Sequence, residues 1–195
     1  MSSLLDLDRL FLGIWSLWLL YWLISSFRVK RAVREESHGS RLGRHTIPIL
    51  IAVVLLMYRF DALNGTFFNR RFVPDQPWIA WLGFALAVLG LAFTCWARVI
   101  LGRNWSGIVQ LKQDHELIVR GPYHWVRHPI YTGLLVAVSG TALANGEWRA
   151  LVSLALIGLA FWLKLRLEER WLCEQFGDQY RQYMHRVKAL VPGVL

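Results

Sequence analysis

The residues best suited to chemistry fall in two short stretches of the second half of the chain. His128 stands between Arg127 and Pro129 at the start of an apolar block, and Glu168 and Glu169 follow a later apolar block. Proline fits the first turn of a helix, so we expect His128 at a helix mouth whose unpaired N–H groups favour a carboxylate ligand. Imidazole and carboxylate groups can also take up a proton from a bound substrate.

Each stretch taken alone has a simpler explanation. A His before a Pro at a membrane surface is ordinarily a polar boundary residue. The pair Glu168 and Glu169 would ordinarily be solvated charge, with Lys164 four residues earlier as an ion-pair partner. The combination favours a site, because both stretches lie at the ends of one predicted helical hairpin, next to the polar segment 102–128.

Five apolar blocks position these stretches. Hydrophobic residues make up 55% of the chain and charged residues 18%, against roughly 45–50% and 25% in soluble domains. The fourth block has only about 15 residues, or about 22 Å as a helix, which is short for a bilayer core of about 30 Å. Asn145 and Gly146 leave almost no loop after it, which predicts a tight hairpin. The blocks cover residues 10–27, 47–63, 78–101, 130–144 and 148–165.

The blocks predict an all-α integral membrane protein with about five transmembrane helices, the last two a short hairpin. Three of the helices form an N-terminal region, residues 1–101, and the hairpin belongs to a C-terminal region, residues 102–195. Residues 167–187 predict a separate amphipathic tail helix. Its apolar side chains recur at helical spacing and are Trp171, Leu172, Phe176, Tyr180 and Tyr183.

The distribution of Lys and Arg predicts the orientation in the membrane. The connection after the first block, the segment 102–128 and the tail are strongly basic, whereas the amino terminus offers only Arg9 and the hairpin turn only Arg149. Arg70 and Arg71, after the second block, weaken this bias. We expect the amino terminus outside and the carboxy terminus in the cytosol, so that both polar stretches share the cytosolic face.

Composition also argues against two other kinds of partner. The net charge of +9 comes without the sequence signature of a nucleic-acid-binding fold, so we expect no nucleic-acid partner. Cys95 and Cys173 are the two cysteines, and neither forms a CxxC pair. We therefore expect neither a metal site nor a disulfide framework.

Residues 105–192 resemble the isoprenylcysteine carboxyl methyltransferase family. The resemblance rests on Arg-His-Pro-x-Tyr-x-Gly at 127–133, and on Phe-Gly-x-x-Tyr-x-x-Tyr at 176–183 after the glutamate pair. It covers slightly under half of the chain, and the first three blocks match only as membrane helices. Further matched residues are Val109, Gln110, the run 115–118 and the run 121–123.

The resemblance implies S-adenosylmethionine as the cofactor, bound at the cytosolic membrane face and not in a Rossmann domain. The chain carries no G-x-G-x-x-G motif after a strand, which agrees with this. The implied substrate is lipophilic and partitions into the membrane. The implied cofactor contacts are Gln110, His115, Glu116, Leu117, Ile118, Tyr123, His128, Pro129, Ile130, Tyr131 and Glu168.

The position that would hold the acceptor departs from the family. The family places an Arg four residues before the glutamate that matches Glu168, and this chain has Lys164 there and Arg166 two residues later. Arg98, at the end of the third block, is a further candidate. Lys and Arg differ in their grip on a carboxylate, so the acceptor stays open between a carboxylate, a phospholipid amine and a small thiol.

Two other functions compete with methyl transfer. Membrane sterol and isoprenoid reductases, which use NADPH, look similar near an Arg-His-x-x-Tyr segment, but they are longer and the tail motif favours methyl transfer. A small transporter subunit or scaffold is the non-enzymatic alternative. Such proteins usually carry ionisable residues in mid-membrane or internal repeats, whereas here the ionisable residues cluster at the block ends.

Overall fold

The computed structural model describes residues 2–27, 32–35, 37–58, 60–105, 110–112 and 116–194. Its helices are α1 Ser2–Ser26, α2 His38–Arg41, α3 Ile47–Met57, α4 Pro77–Leu101, α5 Pro129–Asn145, α6 Trp148–Phe176 and α7 Asp178–Arg186. A π-helical turn, Leu42–Thr46, joins α2 to α3. Shorter 3₁₀ turns cover Asp61–Leu63, Phe67–Asn69, Gly102–Asn104 and Gly121–His124. The strands β1 Ala32–Glu35 and β2 Gln110–Lys112 pair antiparallel. The structure therefore differs from the predicted all-α class by one two-stranded ribbon.

The predicted membrane helices are confirmed for four segments of the described chain. Asp6–Ser26, Gly39–Met57, Pro77–Asn104 and Trp148–Phe176 are long and apolar enough to cross a membrane. Helix α5 has 17 residues, or roughly 26 Å, and is as short as the fourth block predicted. The expectation of about five transmembrane helices therefore becomes four long spans and one short helix.

Helix α6 continues well past the predicted end of the hairpin at Leu165. It has 29 residues and ends before Gly177, whose φ of 54° suits glycine and few other residues. No Gly or Pro interrupts residues 159–176, so the chain offers no stop signal where the charges begin. The predictions of a short second hairpin arm and of a separate helix over 167–187 are wrong, and Glu168 lies inside α6.

Helices α4 and α5 pack backbone to backbone through glycines. A Cβ on Gly140 would lie 2.4 Å from the carbonyl oxygen of Gly83, and a Cβ on Gly90 would lie 2.5 Å from that of Gly133. Small residues of this kind let membrane helices approach closely. The contact fixes the start of α5 beside the end of α4.

Helix α3 ends at Met57 and not near residue 63 as the second block predicted. Tyr58 is extended, and the Arg149 guanidinium binds the carbonyl oxygens of Leu56 and Tyr58 at 3.2 and 3.0 Å. Arg149 is itself paired with buried Glu147 at 2.6 Å. The apolar core lies between α3, α5 and α6 and comprises Ala52, Leu56, Val138, Ala142, Ala150, Ile157 and Phe161.

The helices alternate in direction, so the ends of α1 and α4 and the start of α5 lie at one end of the bundle. The Arg98 guanidinium donates to the Ser25 carbonyl oxygen at 2.5 Å, which joins the ends of α4 and α1. The hairpin turn at Gly146 (φ 68°) lies at the other end, as the sequence predicted. We call the end that holds Ser25, Arg98, His128 and Glu168 the site end. The side of the membrane that it faces stays a prediction.

Candidate cofactor and acceptor site

The start of α5 and the far part of α6 meet through polar side chains at the site end. The Tyr131 hydroxyl donates a hydrogen bond of 2.7 Å to Oε1 of Glu168. Nδ1 of His128 lies 3.6 Å from the other oxygen of the same carboxylate. The two stretches that the sequence singled out are therefore in direct contact.

The second glutamate is committed to an ion pair. Oε1 of Glu169 accepts a hydrogen bond from Nε of Arg127 at 2.8 Å and lies 2.6 Å from Nη2 of the same guanidinium. It also lies 3.2 Å from Nε2 of His128. The exposed fraction of the side chain is 10% for Glu169 and 21% for Glu168. A buried carboxylate needs such a counter-charge, so Glu168 is the carboxylate that remains accessible to a ligand.

Aromatic contacts hold Tyr131 in place. Its ring lies nearly parallel to the His128 ring, with centroids 5.5 Å apart, and stacks on Phe161 at 4.9 Å. Nζ of Lys164 lies 5.5 Å from the centre of the Tyr131 ring, within the range of a cation–π contact. Lys164 and Glu168 are one turn apart on α6 and share a face, so a positive and a negative group flank Tyr131.

The chain after α7 is hydrogen-bonded to the loop that leads into α5 and to the first turn of that helix. The backbone N–H groups of Arg127 and His128 donate to the carbonyl oxygens of Lys188 and Ala189 at 2.8 and 3.0 Å. The Thr132 hydroxyl donates to the next carbonyl along the tail, that of Leu190, at 2.8 Å. The tail thus fixes the position of His128 through main-chain bonds.

Helix α7 is also hydrogen-bonded to this loop, through one of its tyrosines. The Tyr183 hydroxyl donates to the backbone carbonyl of Tyr123. Burial raises the pKa of Tyr123, Tyr180 and Tyr183 well above the usual value for a phenol, and the negative charge of Glu168 or Glu169 adds to the rise. The three hydroxyls therefore stay protonated at neutral pH, and that of Tyr183 is seen to donate.

A second polar position lies at the end of α4. Arg98 is 4% exposed, donates to the Gly102 carbonyl oxygen at 2.7 Å and lies 4.7 Å from the centre of the Trp105 ring. Its Nε is buried and has no hydrogen-bond partner in the described part of the chain. The charges of both Arg98 and Glu168 act on the pKa of Tyr123, the first lowering it and the second raising it.

Comparison with known proteins places the chain in a family. Residues 78–179, which include nearly all of α4 and the whole of α5 and α6, match the family described as phospholipid methyltransferase. The chain belongs to the phospholipid methyltransferase family. Every side-chain contact of Tyr131, His128 and Glu168 described above lies within the matched residues.

Several relatives in this family are isoprenylcysteine O-methyltransferases, which confirms the resemblance that the two motifs indicated. The protein-S-isoprenylcysteine O-methyltransferase of Schizosaccharomyces pombe is 36% identical over 117 residues, 57% of this chain and 48% of that protein. The Xenopus laevis protein of the same name is 30% identical over 167 residues, which cover 83% of this chain and 56% of that protein. Protein-S-isoprenylcysteine O-methyltransferase B of Arabidopsis thaliana is 29% identical over 120 residues, which cover 60% of this chain and 61% of that protein.

A solved structure shares the fold. It is that of the eukaryotic intramembrane Ras methyltransferase, an isoprenylcysteine carboxyl methyltransferase, and it matches with a TM-score of 0.55 and 26% identity. The match covers 82% of this chain and 55% of that chain. The chain spans about half to three-fifths of the length of these relatives.

The remaining residues predicted to bind the cofactor are placed less completely. Pro129 and Ile130 lie in the first turn of α5, next to His128. Glu116 is exposed, and Leu117 and Ile118 are partly buried. Gln110 lies in β2 with only its backbone described, and His115 lies outside the described residues.

The three residues that are candidates to hold the methyl acceptor occupy different places in the structure. Lys164 lies against Tyr131, whereas the Arg166 guanidinium lies 5.8 Å from the Trp162 ring. Two residues correspond to about 200° around a helix, so these side chains leave α6 on nearly opposite faces. Arg98 lies on α4, and Lys164 is the candidate in direct contact with the Tyr131 group.

Sequence reasoning missed the structural partners of His128. Arg127 was noticed only as part of a motif and Glu169 only as a possible base, although their pairing could have been suspected from two opposite charges beside two predicted site residues. Phe161 carries no signal beyond its apolar type. The tail carbonyls at 188–190 act through the backbone, which leaves no trace in residue identity.

Proposed function

We propose that the chain transfers the methyl group of S-adenosylmethionine to a lipophilic carboxylate that partitions into the membrane. The observation that carries the proposal is the contact of Tyr131 and His128 with Glu168 at the site end. It gathers a partly exposed carboxylate, an imidazole and a phenol beside the cation of Lys164. The membrane spans around it suit an acceptor that approaches from the lipid.

The residues at the site fit the proposed cofactor. Bound S-adenosylmethionine supplies a sulfonium methyl group that is already activated for transfer. Its α-ammonium group suits the accessible carboxylate of Glu168, and the protonated hydroxyl of Tyr123 can donate a hydrogen bond to one of its acceptor atoms. The family resemblance adds Gln110 and the run 115–118 to these contacts.

The proposed acceptor needs orientation rather than activation. A carboxylate is ionised at neutral pH and needs no general base, so alignment and exclusion of water are the protein's main contributions. Lys164 is the first candidate to hold it, because Nζ lies beside Tyr131 on the Glu168 face of α6. Arg98 is the second, because its buried Nε has no partner among the described residues.

The arrangement suits an amine acceptor less well. A protonated amine must lose a proton to a base. Both ring nitrogens of His128 face glutamate oxygens, and Glu169 is paired with Arg127, which leaves Glu168 to serve as both base and cofactor ligand. Family membership favours methyl transfer over NADPH-dependent reduction and over a non-enzymatic role.

A transfer assay tests the proposal. The purified protein in lipid nanodiscs is incubated with methyl-labelled S-adenosylmethionine and, separately, an N-acetylated S-farnesylcysteine, phosphatidylethanolamine and a lipophilic thiol. We expect label on the farnesylcysteine that alkali releases as methanol, and none on its carboxamide analogue. Label on the lipid amine or the thiol alone would contradict a carboxylate acceptor. No transfer together with saturable NADPH binding would contradict methyl transfer.

A further inference from the structure

A pocket lies on the side of α6 that faces away from Lys164. Its volume is about 280 Å³, and α6, α7 and the tail form its walls. Arg166 and Trp162 line it from α6, and Lys188 and Val194 line it from the tail. Nothing in the proposed methyl transfer uses this pocket.

The pocket has an excess of positive charge. Arg127 and Glu169 both border it, but they neutralise each other in their 2.6 Å ion pair. Arg166 and Lys188 are exposed, and neither has a carboxylate within ion-pair distance in the part of the chain that the structure describes. Two cations therefore remain for a ligand, which points to an anion.

The surface beside the pocket is apolar. Leu159, Trp162 and Leu163 are 55%, 37% and 41% exposed on the α6 segment that is long enough to cross a membrane. This stripe leads along the helix to Arg166, whose guanidinium lies over the Trp162 ring. Tryptophan and basic side chains mark the boundary between hydrocarbon and headgroups. The pocket therefore opens where a lipid-facing surface ends.

We propose that the pocket binds the phosphate headgroup of an anionic membrane phospholipid. Arg166 and Lys188 contact the phosphate, and the acyl chains follow the stripe of Leu159 and Trp162. Continuity with the apolar stripe favours a lipid over a soluble phosphate. The carbonyl oxygen of Lys188 also accepts a hydrogen bond from the backbone N–H of Arg127, so a lipid that holds Lys188 stabilises the tail segment next to His128.

The test measures lipid binding directly. Detergent-solubilised protein is titrated with short-chain phosphatidylglycerol, phosphatidylcholine and glycerol phosphate, and native mass spectrometry counts the molecules retained. The double variant Arg166→Gln/Lys188→Gln is compared with Arg103→Gln/Arg186→Gln, which removes two exposed cations outside the pocket. We expect the first variant alone to lose phosphatidylglycerol affinity by roughly thirty-fold, from about 1 kcal/mol for each basic residue.

Three results would overturn the proposal. The first is equal phosphatidylglycerol affinity in both double variants. The second is equal retention of phosphatidylcholine, which would show that the headgroup charge is irrelevant. The third is retention of glycerol phosphate as strongly as phosphatidylglycerol, which would mean a soluble phosphate ligand. Binding of S-adenosylhomocysteine is measured in the same samples, so failure of the methyl-transfer proposal is seen separately from failure of the lipid site.

Discussion

The Tyr131 hydroxyl lies 2.7 Å from Oε1 of Glu168, although 37 residues separate them along the chain. The bond joins the first turn of α5 to the part of α6 that lies beyond the predicted hairpin. Since Tyr131 also stacks on His128 and Phe161, any shift of α5 against α6 would move the accessible carboxylate. The geometry of the site therefore depends on how tightly the helices around α5 are packed.

Replacing Gly140 by Ala tests that packing. The new Cβ would lie 2.4 Å from the Gly83 carbonyl oxygen, which is backbone and cannot move aside. We expect Gly140→Ala to lower the free energy of unfolding by about 1–3 kcal/mol, measured by denaturant titration in micelles. The control is Gly13→Ala on α1, where nothing lies within 4 Å and no loss is expected. Equal stability of the two variants would show that α4 and α5 are not in backbone contact.

Replacing Glu169 by Leu tests the ion pair with Arg127. The substitution leaves a buried guanidinium without its carboxylate, so we expect a loss of about 3–5 kcal/mol in the free energy of unfolding. The double variant Arg127→Met/Glu169→Leu is expected to lose less free energy of unfolding than the two single variants lose in sum. Arg181→Gln/Asp178→Asn removes a pair that is 62% and 83% exposed and should change stability by less than about 1 kcal/mol. If the double variant lost as much free energy of unfolding as the two single variants together, the coupling of positions 127 and 169 would be refuted.

Much of the framework could be predicted because its signals are local. Long apolar runs predict membrane helices, Asn145 and Gly146 predict the hairpin turn, and Pro129 predicts the start of α5. The contact between Tyr131 and Glu168 followed from recognising two motifs of one family. Neither motif states a distance, so the predicted hairpin and the resemblance indicated that the two stretches lie near each other but not that these two side chains are hydrogen-bonded.

The remaining features depend on contacts that residue types do not encode. Charge suggested a boundary at Leu165, yet a helix continues through charged residues when neither Gly nor Pro stops it, and α6 reaches Phe176. The opposite directions of Lys164 and Arg166 were deducible from helical spacing, but which of them faces Tyr131 depends on the rotation of α6. The tail pairs with Arg127 through its backbone alone.

Lys164 is expected to govern use of the acceptor and not binding of the cofactor. Removing a hydrogen bond to a charged group costs about 1.5–3 kcal/mol, so Lys164→Gln should raise KM for the farnesylcysteine at least about tenfold. Lys164→Arg should restore it, because the positive charge is kept. The affinity for S-adenosylhomocysteine should change less than about twofold in both variants. A larger rise in KM from Arg166→Gln than from Lys164→Gln would contradict the assignment.

The buried tyrosines predict a loss of stability at alkaline pH. Burial raises the pKa of Tyr180 in the folded state, whereas in the unfolded chain it is about 10. The stabilisation is therefore fully present below about pH 10 and decreases as the pH rises toward the folded-state pKa. Tyr180→Phe should flatten this decline, measured as the unfolding midpoint between pH 8 and 12. Parallel declines in the variant and the unaltered protein would show that Tyr180 ionises freely.

Calorimetric titration with S-adenosylhomocysteine tests the central claim, that the Tyr131 and Glu168 group forms part of a nucleotide site. We expect saturable binding to the unaltered protein and a loss of about tenfold or more in affinity for Glu168→Gln, from a lost charge-assisted hydrogen bond. Tyr131→Phe should weaken binding less, because the ring contacts remain. Glu174→Gln, an exposed position on the same helix, should bind as the unaltered protein does. Undiminished affinity in Glu168→Gln would contradict the claim.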